Sequence, residues 1–123
     1  MDKKEFKIRE KIEVYGKNVS DAQKALNEYR SYYHIFQDDM TECRKKKKEI
    51  LAKLVSKKHE KCEHIILIAS IDALTEEIND LSKSILYLNE LLTNKKREKK
   101  LLQQLQSSYI SKLENYLYFK NQF

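Results

Sequence analysis

Apolar residues return along this chain with the period of a coiled coil. Between residues 67 and 92, Ile71, Ile78, Ile85 and Leu92 recur every seven residues, and Leu67, Leu74, Leu81 and Leu88 recur at the same interval, offset by four. Mostly isoleucine at heptad position a, with leucine at d, winds a helix against a partner helix. An earlier track has the same period. Its d positions are Ile8, Tyr15, Ala22, Tyr29, Phe36, Cys43 and Ile50, and its a positions are Ile12, Val19, Leu26, Tyr33, Met40, Lys47 and Leu54. Only Lys47 among these is charged. Beyond Leu92 the repeat is less clean, running through Lys95, Lys99, Leu102, Gln106, Tyr109, Leu113 and Tyr116. Residues 94–100 are thus a weak patch in the stripe. Lysine stems can lie along an apolar seam with the ammonium in water, so the helix is expected to continue through them.

Two tracks of equal length flanking a polar stretch predict an all-α fold, a long antiparallel two-helix coiled-coil hairpin in a single domain. Arm one spans about 3–57, the tip about 58–64 and arm two about 65–121. Folding at the midpoint sets Leu54 against Leu67, Cys43 against Ile78, Met40 against Leu81, Val19 against Leu102 and Ile8 against Leu113. Tyr15 then meets Gln106, whose amide could hydrogen-bond the tyrosine hydroxyl, and Lys46 meets Glu77 as a surface ion pair. A register one heptad away draws Ile65 and Ile66 into the turn, which disfavours it. Asp2 is placed to cap the first helix, with Glu5 at capping-box spacing. Gly16 falls at position e and should cost its helix about 1 kcal/mol relative to alanine. Arms of this size extend for roughly 75 Å.

Composition agrees with so few reversals of direction. The 123 residues include one glycine and no proline, whereas tight turns usually draw on both. A charged fraction of 36% and a mean hydropathy of -0.76 would suit disorder, but sustained heptads argue against it. Two helices bury only a seam, which argues against an enclosed catalytic pocket. The net charge is +6, with basic runs at residues 44–48 and 95–100. These read either as solvated helix faces or as an attraction for acidic partners. Cys43 and Cys62 form neither a metal spacing nor a disulfide framework, in keeping with a reducing cytoplasm. No signal-peptide core and no run long enough to span a bilayer is present.

Little in the chain could carry chemistry. It has no glycine-rich phosphate loop. His59, Cys62 and His64 form the one ligand-like cluster, and polar turn residues of this kind are more often solvated than metal-bound. The pairs Asp38-Asp39 and Glu76-Glu77 point in different directions on a helix. No catalytic residue, cofactor or metal ligand is assigned, and no nucleic-acid recognition motif is evident. The informative residues are apolar ones off the seam. Tyr32, Ile35, Leu86, Tyr87 and Leu91 form one group. Leu101, Leu105, Ile110, Tyr118 and Phe119 form another, near the expected open end. They read as docking surfaces for other proteins, as a self-association surface, or as a slight error of register.

The stretch Tyr29, Arg30, Tyr32, Tyr33, His34, Ile35 and Phe36, followed by Asp38 and Asp39, resembles the aromatic, arginine and acidic stretch in the first helix of the FliJ/YscO family, most closely its EscO-like members. These are short, charged, glycine- and proline-poor helical hairpins, similar in form to the coiled coil of the rotary ATPase γ subunit. The resemblance implies a non-enzymatic cytoplasmic stalk at the base of a type III secretion apparatus. Such a stalk inserts into a hexameric secretion ATPase, couples it to an export gate protein and recycles secretion chaperones. On that reading Tyr32, Ile35, Asp39 and Leu86 are the gate or chaperone contacts. Lys95, Lys96, Arg97, Lys99, Leu105, Ile110, Tyr118 and Phe119 are the contacts to the ring. The alternative is a structural or chaperone coiled coil that homodimerises through the exposed apolar patches.

Overall fold

The computed structural model of the chain describes residues 2–56 and 60–122 and is all-α. Helix α1 spans Lys3–Ser56 and helix α2 spans Lys61–Gln122. They fold back on each other as a hairpin. The chain divides into two compact units to which both helices contribute: unit 1 comprises Met1–Tyr29 with Leu91–Phe123, and unit 2 comprises Arg30–Glu90.

The heptad stripe accounts for what each unit buries. Every a and d position of the tracks over residues 8–54 and 67–113 is buried or half-buried. The most enclosed apolar side chains are Ala22 and Leu26 in unit 1, with Met40, Cys43, Ile85 and Leu88 in unit 2. Leu26, at 2% exposure, is the most completely covered. The charged a and d positions follow the same geometry. Lys47, Lys95 and Lys99 are half-buried along their stems, and α2 passes through residues 94–100 as unbroken helix.

Specific cross-helix contacts establish the register within each unit. In unit 1 the Tyr15 and Tyr109 rings lie 5.6 Å apart at 33°, and Lys99 Nζ donates to Gln23 Oε1. In unit 2 the Ser82 hydroxyl donates to Met40 Sδ at 3.4 Å, and Cys43 and Glu77 meet across the seam. The last three contacts each fall within one residue of the pairing expected from folding at the midpoint and do not fit a slide of one heptad, whereas the Tyr15–Tyr109 pair lies three residues from it. Burial, and then the Glu77 carboxylate, push the Cys43 thiol up from its ordinary value. Lys46, expected to reach Glu77, stands 3.5 Å from Glu42 on its own helix, four residues away and therefore on the same face.

Two details depart from the sequence reading. Helix α2 begins at Lys61 rather than near residue 65. The His64 amide donates to the Glu60 carbonyl at 2.9 Å, and no glycine or proline in that stretch interrupts the first turn. The expected tip therefore shortens at its second end, while Lys57, Lys58 and His59 lie outside the described residues. Gln106 is the second. It reaches past the Tyr15 hydroxyl and donates to the Ile12 carbonyl at 3.4 Å. The reason is Gly16: a Cβ there would stand 2.7 Å from Gln106 Nε2, so the bare glycine makes room for the amide to cross.

These contacts lead to two stability predictions. Leu26→Ala should cost about 2–4 kcal/mol, because the site is enclosed by helix backbone that collapses only partly. Gly16→Ala gains about 1 kcal/mol of helix propensity but displaces the Gln106 amide from the Ile12 carbonyl, a bond of about equal worth, so it should leave the melting temperature nearly unchanged. Gly16→Phe should lower it, since it displaces the same amide without the full helix propensity of alanine. Urea unfolding followed by circular dichroism measures all three.

Candidate docking surfaces

Heptad position determines where each off-seam side chain stands, because positions g and c lie on one flank of a helix's buried stripe and e and b on the other. In unit 2, α1 carries Tyr32 at g, Ile35 at c and Asp39 at g, spaced three and four residues apart on one flank. All three are exposed. On α2, Leu86 at b and Tyr87 at c are both exposed, but they stand on opposite flanks. The g–c side is the one α1 shares with α2 in an antiparallel pair, so Tyr87 belongs with Tyr32 and Ile35, and Leu86 faces the other way. The Tyr33 hydroxyl behind them accepts from Gln37 at 3.1 Å, and its ring meets His34 edge-on at 5.9 Å.

In unit 1 the expected ring contacts also separate. Leu105 and Phe119, both at g, share one flank with Leu101 at c. Ile110, at e, is on the other. Tyr118 packs edge-to-face on Phe119 with ring centroids 5.5 Å apart, and both rings stay about 60% exposed. The lysines divide by the same rule. Lys95 and Lys99 occupy d and a, and their ammonium groups are held within the unit. Lys95 Nζ is 2.8 Å from Glu98 Oε2, which raises the lysine pKa. Lys99 is engaged with Gln23. These two serve the seam rather than an outside surface. Lys96, Arg97 and Lys100 are exposed.

Further apolar positions off the seam are exposed, Ile66 among those that heptad counting already places there, at position c. Phe6 and Val14 are exposed in unit 1. Near the turn in unit 2, Val55, Ile65 and Ile66 are exposed, Val55 at 87%. Leu51 and Ile68, both at e positions, are each more than two-fifths exposed. Their signal was present as apolar residues at b, c and e within two turns of the chain reversal, where a pair of helices has no further neighbour to cover them.

A polar cluster joins the two ends of unit 1. Asp2 Oδ1 accepts from the Glu5 amide at 2.8 Å, which is the expected cap. Asp2 Oδ2 accepts from the Tyr116 hydroxyl at 2.5 Å and lies 3.0 Å from Lys120 Nζ. Glu5, at the a position preceding Ile8, is 8% exposed. Its carboxylate pairs with Arg9 at 3.2 Å and with Lys120 at 3.6 Å. The backbone amide of Glu5 and then Tyr116 and Lys120 hold the Asp2 carboxyl well below the usual carboxylate range. The same partner raises Tyr116 and Lys120.

Among the described residues no group of three or more His, Cys, Asp or Glu is arranged to hold a metal ion. His59, one of three residues in the ligand-like cluster, lies outside the described residues. Cys62 is exposed and Cys43 buried, both as free thiols. No helix among the described residues is long and apolar enough to cross a membrane.

The Asp2 cluster defines a pH window. A depressed carboxyl contributes stability above its unfolded value, and that contribution fades as pH falls below about 4. The raised Tyr116 and Lys120 contribute below their unfolded values and lose that contribution as pH climbs past about 10. The protection of the Glu5 and Phe6 amides in the first turn of α1, measured against the intrinsic exchange rate at each pH, should therefore be highest between these limits and fall beyond both. Asp2→Ala should remove the protection in between. No family model, curated protein or solved structure matches the chain.

Proposed function

We propose that the chain is a non-enzymatic central stalk of a type III secretion ATPase, a protein of the FliJ/YscO kind working in the cytoplasm at the base of a secretion apparatus. It inserts into the hexamer, stimulates its turnover and couples it to the export gate, and it recycles secretion chaperones. The observation that carries this reading is the form of the hairpin. Its helices spend their heptad positions on each other and leave grouped apolar side chains exposed in both units. A charged antiparallel coil with external apolar contacts suits a part that meets several subunits of a larger machine without a catalytic pocket of its own.

Unit 1 holds the ring contacts, Leu105, Ile110, Tyr118 and Phe119, with exposed Lys96 and Arg97 further back along the same helix. Long-range attraction between a basic coil and an acidic lumen centres one within the other without a tight fit. Unit 2 holds the gate or chaperone contacts, Tyr32, Ile35 and Asp39, with Leu86 on the other flank of α2. A structural or chaperone coiled coil that homodimerises through these patches is the competing reading.

The purified chain should hydrolyse no ATP alone and should raise the turnover of its cognate hexameric ATPase severalfold. Leu105→Asp with Phe119→Asp should abolish most of that stimulation, while Tyr32→Asp with Ile35→Asp should spare it and weaken capture of the gate or chaperone. Unchanged turnover under oligomer-forming conditions, or light scattering that shows a stable dimer insensitive to Leu105→Asp and Phe119→Asp, would overturn the assignment.

A further inference from the structure

The g–c flank of unit 1 is concave. Two shallow grooves meet at Ile8, one running towards Phe119 and one towards Lys11. Their floor is apolar and aromatic, with half-buried Ile8, Tyr109 and Tyr116, and the exposed Phe119 ring stands at one edge. Their lips are basic. Helix α1 contributes Lys4, Lys7 and Lys11, and α2 contributes Lys112, against one carboxylate, Glu10, among the lining residues. Two of these lysines are already held over the floor. Lys112 Nζ stands 4.5 Å from the centre of the Tyr109 ring, and Lys4 Nζ stands 5.2 Å from that of Tyr116. Cation–π contact lays each stem across the aromatic surface and keeps the charge at the rim.

We propose that this groove docks an acidic amphipathic helix from a partner protein, with apolar residues in the channel and carboxylates on the lysine lips. Shape favours a helix. The furrow between two packed helices accepts a third at ordinary interhelical spacing. The lining residues on α2 run from Tyr109 to Phe119, about 15 Å along the axis, which matches two to three turns of an added helix. Charge determines the sign of the partner: four ammonium groups face one carboxylate, and replacing water around them with acidic side chains gives both attraction and orientation. A second copy of this chain is a poor occupant, because each copy carries a net charge of +6. A bilayer is a poor one as well, because a flat lipid surface cannot reach the floor of a furrow. The docking chemistry follows from the groove itself and does not depend on the secretion assignment.

The test titrates the full chain into a fluorescent peptide of three heptads, about 21 residues, with leucine at a and d and glutamate at e and g. A matched peptide carries lysine at e and g. The glutamate peptide should bind at least about tenfold tighter than the lysine peptide, and its affinity should fall as salt rises. Lys4→Glu combined with Lys112→Glu should weaken it by about tenfold or more, with an unchanged circular dichroism spectrum. Lys45→Glu in unit 2 should have little effect. Equal affinity for the two peptides, or equal loss from the Lys45 variant, would refute the proposal. So would binding to phosphatidylglycerol vesicles that depends on Lys4 and Lys112 when the peptide does not bind.

Discussion

Burial along a single stripe governs this molecule. Two helices have only one line of mutual contact, so the apolar residues at a and d must all be spent there. The buried set is correspondingly small: Ala22, Leu26, Met40, Cys43, Ile85 and Leu88. Each of these is covered by the facing helix and by neighbours one turn away, not by a third layer. The stripe therefore tolerates no large vacancy. It also leaves most of each helix surface to solvent, which makes external apolar side chains available for other proteins without loss from a core.

Apolar burial alone would leave the two helices free to slide, since leucine and isoleucine at equivalent positions pack about equally well in neighbouring heptads. The polar interruptions remove that freedom. Lys99 finds Gln23, Gln106 crosses Gly16 to the Ile12 carbonyl, and Tyr116 with Lys120 closes on Asp2. A shift of one heptad would part each of these groups from its partner, at a desolvation cost for those within the seam that correct pairing avoids. Polar residues in a seam commonly fix register at some cost in stability. Here they are concentrated in unit 1, where the apolar repeat is weakest.

The same geometry organises the candidate contact surfaces. Flanking positions g and c from both helices converge on one side of the pair, and e and b on the other. In unit 1 the g–c side combines a furrow floored by aromatic rings with lysines on both lips. In unit 2 it carries Tyr32, Ile35 and Tyr87 in the open. Which candidate surface an apolar residue belongs to thus depends on the flank it occupies, and two residues adjacent in sequence, such as Leu86 and Tyr87, stand on different faces.

The period of seven, the near absence of glycine and proline, and the equal length of the two tracks were enough to specify two helices, their antiparallel pairing and the register, because each depends on local spacing and on matching apolar to apolar. Exposed residues off the seam were legible for the same reason. The roles of polar side chains were not. Whether Lys95 and Lys99 faced outward or served the seam, whether Gln106 met Tyr15 or crossed Gly16, and where Lys46 found a carboxylate depended on rotamers and on space left by the facing helix. The sealing cluster around Asp2 and the lysine-lipped furrow at Ile8 likewise join residues more than a hundred positions apart. Periodicity determines which face a residue occupies, but only the packed pair of helices determines what stands across from it.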